Sequence, residues 1–237
     1  MQYGQFCPIS KAAEVLGDKW SLLIVRELLM GASRFNNLLR GLSSISPTML
    51  TKRLNELCIA GIVLKKKIPG QKGYEYFLTQ SGQELVPVLK ALGVWGMRWA
   101  REGMPDADLD VELLMLYMER SVDPRQLVGN ETVIRFKFTD LEEFKDWWVV
   151  VKNEQVDTCV HDPGKDVDVY FTTDLRTMIQ AWMGDISYKQ AIADKRLLLV
   201  GQSALTKNIS RWLRPSIFDG IPPADEIRHD SMMGAGI

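Results

Sequence analysis

Few residues of this 237-residue chain have the types and spacing that catalysis or metal binding requires. Asp157, Cys159 and His161 alternate along a predicted strand and would share one of its faces. A carboxylate, a thiol and an imidazole placed in this way could ligate zinc, or the last two could form a nucleophilic pair. The sequence contains no second cluster of cysteine and histidine, so we favour a sheet surface with one small buried thiol.

An acidic pattern further upstream is similar to the start of a calcium-binding loop. Asp106, Asp108 and Asp110 have the required spacing, but Val111 and Tyr117 stand where the loop needs glycine and glutamate. The sequence has no glycine-rich phosphate loop and no Ser/His/Asp grouping. We therefore predict no catalytic residue, no metal site, no cofactor and no enzyme activity.

The charge of the chain is divided unevenly, although the total is only −1. Residues 1–102 carry 14 bases against 7 acids, a net charge of +7, and residues 103–237 carry 15 bases against 23 acids, a net charge of −8. A basic half favours a polyanion such as double-stranded DNA, whereas an acidic half repels one. Two domains with different partners are the simplest interpretation.

The composition is that of a globular protein, with 46% hydrophobic and 25% charged residues. Three cysteines exclude a disulfide framework and fit a reducing compartment. No apolar run approaches the ~20 residues that span a bilayer, and no signal peptide is visible. We expect a cytoplasmic protein with no membrane partner.

Residues 45–57 predict the second helix of a helix-turn-helix. Ser46 is a good N-cap, and Pro47 stands at the first helical position, where its missing N–H costs nothing. Leucines at 50, 54 and 57 make a buried stripe. Short polar groups and a cation lie off that stripe, as on a helix that meets DNA: Thr48, Thr51, Lys52 and Asn55. Earlier helices are predicted over residues 10–16, 19–30 and 34–39, with Ser10 and Asp18 capping the first two.

A basic hairpin is predicted directly after this helix. Residues 62–68 and 74–79 have strand character, and a Pro/Gly turn joins them. Taken alone, the lysines of the first strand could simply protect a sheet edge. Next to a helix-turn-helix, the same hairpin is better interpreted as a wing.

Residues 81–84 form a capping-box pattern that predicts the start of a long helix. Apolar residues then recur at steps of three and four. Packing within the domain would explain this stripe, but its two tryptophans favour a homodimer interface made by Leu85, Val88, Leu92, Trp95 and Trp99.

Residues 6–100 resemble the HxlR-type winged-helix transcription regulators, which are related to the MarR group. The similarity lies in residues 16–28, 31–35, 45–54 and 74–79, together with Cys7-Pro8, Gly61 and Gly82. It implies a homodimer that binds near-palindromic operators. The chain departs from the family at Asp18, where a second glycine is common. It also continues for some 135 residues, whereas the family usually has a single short domain.

The resemblance and the helix pattern together assign DNA contacts. Thr48, Thr51 and Lys52 are predicted at base edges or nearby phosphates, and the wing contributes Lys66, Lys67 and Lys72. The predicted phosphate anchors are Arg34, Ser46 and Arg53.

Cys7 is a candidate redox residue, because a cysteine at this place responds to oxidants or electrophiles in part of the family that the chain resembles. Such reactivity requires a pKa lowered by positive charge or by a helix N-terminus. A scaffold cysteine packed at the dimer interface is the alternative.

The second half resembles the sterol carrier protein family. The similarity lies in residues 166–175 and 182–185, Ala191, Asp194 and residues 197–201. It implies a sheet covered by helices, with an apolar tunnel between them. The candidate pocket residues are Trp147, Trp148, Met178, Trp182 and Met183; filling an ordinary core is the alternative for these side chains.

The sequence thus predicts an α+β chain, with a winged helix-turn-helix domain over residues 1–103 and a sterol carrier protein-like α/β domain over residues 104–237. We expect a homodimeric DNA-binding regulator that senses an apolar small molecule. The alternative is a lipid-binding or carrier protein whose winged helix serves for dimerisation or interaction.

Overall fold

The computed structural model describes residues 2–101, 104–127, 129–222 and 224. The chain divides into two compact units, with the boundary between Gly93 and Val94. The predicted domain boundary at residue 103 lies outside the described residues, and the predicted division stays a prediction. Among the described residues, no helix has the length and apolar character needed to span a membrane.

The first unit contains helices and one hairpin. They run in the order α1 (Pro8–Leu16), α2 (Ser21–Leu29), α3 (Phe35–Arg40), α4 (Pro47–Ile59), β1 (Val63–Lys67), β2 (Tyr74–Leu78), α5 (Gln80–Gln83) and α6 (Val86–Trp99), which continues past the boundary. The two strands are antiparallel, with Val63 opposite Leu78 and Lys67 opposite Tyr74.

The core of this unit is built from the apolar faces of α2 and α4. Ile24, Val25, Leu50 and Leu54 are completely buried, and Leu57 is almost so. The predicted leucine stripe of α4 is therefore confirmed. Ser46 caps α4 as predicted, since its hydroxyl accepts a hydrogen bond from the Met49 N–H at 3.2 Å.

Three of the predicted helix starts differ in the structure. Helix α1 begins at Pro8 with Cys7, not Ser10, at the N-cap, and Trp20 at φ 83°, not Asp18, precedes α2. The predicted capping box is replaced by a short helix capped by Thr79, and α6 begins only at Val86. The Ser81 hydroxyl instead donates to the Gly61 carbonyl at 2.9 Å.

A buried ion pair connects α2 to the end of α3. Glu27 is fully buried, and Arg26 Nη2 lies 2.8 Å from its Oε1. The same Arg26 Nη2 donates to the Gly41 carbonyl at 2.8 Å. A Cβ on Gly41 would overlap the Glu27 carboxylate, so only glycine allows this close approach.

The second unit is a five-stranded sheet with helices. Its elements are α7 (Val111–Ser121), β3 (Glu131–Phe138), β4 (Asp146–Lys152), β5 (Gln155–Cys159), β6 (Val169–Thr173), α8 (Leu175–Met183), α9 (Tyr188–Ala193), β7 (Leu197–Gly201), α10 (Ser203–Thr206) and α11 (Ile209–Trp212). The strand order is β5-β4-β3-β6-β7, and only the central pair β3-β6 is parallel.

One face of this sheet forms the core of the second unit. Phe136 of β3 stacks on Phe171 of β6 at 4.5 Å between ring centroids, and Trp212 of α11 meets the Phe171 ring edge-on at 6.1 Å. All three are buried, and Met115 and Met118 of α7 are buried in the same cluster.

Local sequence patterns correctly predicted one turn and both ends of one helix in this unit. The predicted turn between β4 and β5 consists of Asn153 and Glu154, both at positive φ, as a tight two-residue hairpin requires. Asp174 caps α8 by accepting from the Thr177 N–H at 2.7 Å, and Gly184 ends the helix at φ 88°.

We expect Gly41→Ala to lower the free energy of unfolding by about 1–3 kcal/mol, because the added methyl group must displace the buried Glu27 carboxylate. Urea unfolding measures the change, and Ser43→Ala at an exposed site of the same turn should cost less than about 0.5 kcal/mol. Equal unfolding midpoints for the two variants would show that the ion pair moves aside freely.

Candidate nucleic-acid interface

Helix α4 presents a polar face opposite its buried leucines. Thr48, Thr51, Lys52 and Asn55 are all exposed. Helix α3, the turn from Gly41 to Ile45 and α4 together make a helix-turn-helix. The geometry therefore brings the three predicted base-contact residues onto one accessible surface, together with Asn55.

Thr51 has only part of its hydrogen-bonding capacity available to a ligand. Its hydroxyl donates to the Pro47 carbonyl of the preceding turn at 2.9 Å. The oxygen lone pairs and the methyl group stay accessible, so Thr51 suits an amino-group donor or the methyl group of thymine at a base edge.

Lys52 and Arg53 are neighbours on α4, but their surroundings differ. The Lys52 side chain is 61% exposed, and its Nζ lies 4.0 Å from Glu56, a loose contact at the surface. The Arg53 side chain is only 11% exposed, and its Nη1 lies 2.6 Å from Asp18 Oδ2 and 2.5 Å from Glu56 Oε2.

The structure therefore gives Arg53 a role other than the predicted phosphate anchor. Two carboxylates already neutralise its guanidinium, so binding a phosphate would require these pairs to break. The contact with Asp18 connects α4 to the segment before α2. Sequence reasoning missed this pairing because the two residues are 35 positions apart.

Two lysines of the wing lie against aromatic rings of the same hairpin. Lys65 Nζ lies 4.1 Å from the centroid of the Tyr74 ring, and Lys66 Nζ lies 5.3 Å from that of Phe77. Such contacts hold the side-chain stems while the ammonium groups stay accessible. Lys67 and Lys72, at the end of β1 and in the turn, are exposed.

Arg34 lies beside the wing and is partly engaged. It forms an isolated bridge with Glu75, and its Nε lies 3.8 Å from the Glu75 carboxylate. Its side chain is still 50% exposed. A phosphate contact by Arg34 therefore stays a proposal that its exposure permits.

The predicted dimer stripe on α6 is largely exposed. Val88, Leu92, Trp95 and Trp99 have exposed fractions of 43%, 46%, 58% and 43%. Leu85 precedes α6 and packs partly buried against the core of the first unit, so it belongs to that core rather than to the exposed stripe.

The predicted ligand-pocket residues do not share one face of the second unit. Trp147 and Met178 are buried in its core. Trp148 follows Trp147 on β4 and points to the opposite face of the sheet, where the Arg135 guanidinium lies 5.3 Å from the centroid of its ring. No single cavity can therefore be lined by both tryptophans.

The other two residues lie on α8. Trp182 stacks on Tyr117 with ring centroids 4.9 Å apart, and its indole N–H donates to the Ser121 hydroxyl at 2.8 Å. Met183 is partly exposed at the end of the helix. A pocket that uses these residues stays a prediction.

The three cysteines have different surroundings. Cys7 is partly exposed at the start of α1, where the backbone N–H groups of Ser10 and Ile9 lower the pKa of its thiol. Burial raises the pKa of the Cys58 and Cys159 thiols. No group of three potential metal ligands occurs within the part of the chain that the structure describes.

Comparison with known proteins relates these features to a family. A family model described as HxlR-like helix-turn-helix matches residues 15–104. The HTH-type transcriptional regulator YvaP of Bacillus subtilis is 36% identical over 101 residues, which are 42% of this chain and 94% of that protein. The chain belongs to the HxlR-like helix-turn-helix family.

Other proteins that are similar to this HxlR-type chain are also named as transcriptional regulators. An HTH-type transcriptional regulator of Synechocystis is 38% identical over 42% of this chain and 74% of its own length. Among solved structures, the reduced form of the transcriptional regulator YodB from B. subtilis is 31% identical, covers 42% of this chain and 99% of its own, and has a TM-score of 0.37.

A second family model, described as the SCP-2 sterol transfer family, matches residues 112–214. The HxlR-type winged helix is therefore followed by an SCP-2 domain. The predicted α+β class and both family resemblances are confirmed.

We expect Cys7 to be alkylated at lower pH than Cys58 and Cys159, because its pKa is lowered whereas theirs are raised. Iodoacetamide labelling of the native protein across a pH series, followed by peptide mass spectrometry, gives the rate at each thiol. Cys7→Ser should remove the fast phase only. Equal pH midpoints for the three thiols would contradict the effect of the helix N-terminus.

Proposed function

We propose that this HxlR-type regulator binds operator DNA as a homodimer. The observation that carries the proposal is the exposed polar face of α4 beside an exposed lysine wing, in the half of the chain with a net charge of +7. Lysines of the wing contact phosphates and supply affinity, while Thr48, Thr51 and Lys52 read base edges.

The homodimer in this proposal forms along α6. Four large apolar side chains in steps of three and four residues are 43–58% exposed on this helix. Large exposed apolar side chains that recur along one helix in this way are typical of an interaction site. Two winged helices related by a two-fold axis would meet successive major-groove faces ~34 Å apart, which explains near-palindromic operators.

The SCP-2 domain binds a small apolar molecule in this proposal and biases the DNA affinity of the dimer. Its support is the match to a sterol transfer family and the negative charge of the second half, which is unsuited to holding DNA. A ligand changes operator affinity only through its different affinities for the DNA-competent and incompetent states.

A carrier protein whose winged helix serves only in protein interaction is the second candidate. The SCP-2 match is the observation that favours it. Selection of binding sites from genomic fragments separates the two candidates, because a carrier would enrich no common sequence.

We expect operator affinity to fall by ~10³–10⁵ between about 50 and 200 mM salt if the dimer neutralises ~6–10 phosphates. Lys66→Ala combined with Lys67→Ala should weaken binding to operator and random DNA alike and reduce the salt slope. Fluorescence anisotropy on both DNAs gives these quantities. Lys137→Ala with Lys145→Ala, two exposed lysines of the second half, is the matched control.

Thr51→Ala distinguishes base reading from phosphate contact in the same assay. It should reduce discrimination at one base pair of each half-site by ~1–3 kcal/mol and leave the affinity for random DNA unchanged. Equal losses on operator and random DNA would remove the assignment of Thr51 to base reading.

We expect Leu92→Glu combined with Trp95→Glu to convert the dimer to monomers at micromolar concentration, because two charges would be buried in an apolar interface. Sedimentation velocity measures the mass. Leu198→Glu, at a 60% exposed site on β7, is the control and should leave the mass unchanged. A wild-type chain that sediments as a monomer would contradict the dimer.

A further inference from the structure

A cleft of about 370 Å³ opens on the surface of the second unit, beside α9, α10 and α11. Its apolar lining comes from Ile192 and Ile209, and its charged lining is entirely basic. The full lining is Lys189, Ile192, Thr206, Lys207, Asn208, Ile209, Ser210 and Arg211.

Three cations at one cleft are unusual in this half of the chain, which carries 15 bases against 23 acids. Several other bases in this half have acidic partners, such as Arg135 with Asp146 at 3.0 Å and Lys165 with Glu131, although the described Lys137, Lys145 and Lys195 also form no ion pair. Lys189, Lys207 and Arg211 form no ion pair within the described residues, and no carboxylate lines the cleft.

Helix electrostatics accounts for two of the three cations but not for Lys189. Lys207 at the C-cap of α10 and Arg211 in the last turn of α11 stand where a cation is favourable. Lys189 lies in the first turn of α9, where the helix dipole disfavours a cation. Lys207 and Arg211 lie four residues apart in the α10–α11 segment, and Lys189 comes from α9, so two segments bring the three charges to the cleft.

The remaining polar lining is largely occupied by the backbone. The Asn208 amide donates to the Ala204 carbonyl at 2.9 Å, and the Thr206 hydroxyl donates to the Gln202 carbonyl at 3.3 Å. The main donors open to a ligand are therefore the two ammonium groups and the guanidinium. These are the groups that bind phosphate and carboxylate oxygens most strongly.

We propose that this cleft binds a small organic anion whose head group carries two negative charges and whose remainder is short and apolar. Three cations suit a doubly charged oxyanion, and Ile192, which is 38% exposed, supplies contact for a few methylene groups, whereas Ile209 is almost completely buried in the core. The cleft volume lies near the lower end of the range of small-molecule pockets, ~300–1,000 Å³. The inference goes beyond the apolar ligand of the proposed function, because it assigns an anion site to the same SCP-2 domain.

DNA is a less suitable occupant of the same cleft. Duplex DNA carries one negative charge per ~1.7 Å of its axis, so further phosphates would approach a half of the chain whose net charge is −8. An isolated dianion meets only the cations of the cleft. A phosphodiester backbone also has no alkyl chain that could pack against the Ile192 side chain.

The full chain is titrated calorimetrically with hexyl phosphate, hexyl sulfate and inorganic phosphate. At about pH 7.5 a phosphate monoester is mostly a dianion, because its second pKa is ~6, whereas the sulfate ester carries one charge. Hexyl phosphate should bind several-fold more tightly than either of the other two. Equal affinity for the two hexyl esters would overturn the requirement for a dianion.

Variants then locate the binding. Lys207→Gln combined with Arg211→Gln should weaken hexyl phosphate binding by about tenfold, whereas Lys137→Gln with Lys145→Gln, which alters net charge equally, should not. All four side chains are exposed, so unchanged circular dichroism is expected of both variants. Equal affinities for wild type and the Lys207/Arg211 variant would overturn the site.

Two further measurements separate this inference from the proposed regulatory role. A loss of DNA affinity in the Lys207/Arg211 variant beyond that of the control variant would show that the cleft contacts DNA, and would overturn the proposal. Operator affinity unchanged by saturating hexyl phosphate, with variant-dependent binding retained, would remove the sensor role while supporting the cleft.

Discussion

The position of α4, the second helix of the helix-turn-helix, depends on a carboxylate that is buried beside a glycine. Glu27 is fully buried, and burial of a charge is costly unless it is paired. Arg26 provides that pair and also donates to the Gly41 carbonyl, so the end of α3 is fixed against α2. The turn that follows leads directly into Ser46, the cap of α4. The exposed threonines of α4 are therefore oriented through a charge pair whose carboxylate is fully buried.

Charges in the winged-helix domain fall into two groups with different consequences. Arg26 and Arg53 are mostly buried and paired with carboxylates, so they fix helices relative to each other. The exposed lysines are only loosely engaged, either with rings or with a distant carboxylate, and release these contacts at little cost. A net charge alone does not separate the two groups, because both contribute to the same +7.

Features set by neighbouring residues could be predicted from the sequence, whereas features set by distant partners could not. Ser46, the turn at Asn153 and the cap at Asp174 follow from local backbone chemistry, and the structure has all three. Arg53 fits the pattern of a phosphate anchor in the sequence, but in the structure it pairs with Asp18, 35 residues away. The basic cleft was likewise missed, because Lys189 belongs to a different helix from Lys207 and Arg211 and lies 18 positions before Lys207.

Under the proposed function, electrostatic coupling between a ligand and DNA would be limited by screening. A bound dianion would add two negative charges to a half that already carries −8, and these would oppose DNA binding. At physiological salt the Debye length is ~8 Å, so exposed charges act only over short distances. A conformational equilibrium biased by ligand is not screened in this way, and typical couplings amount to ~1–3 kcal/mol.

Helix α6 contains the boundary between the two units, so the backbone of one helix belongs to both. An effect of ligand that persists at high salt would therefore have to be conformational, whereas one that disappears would be electrostatic.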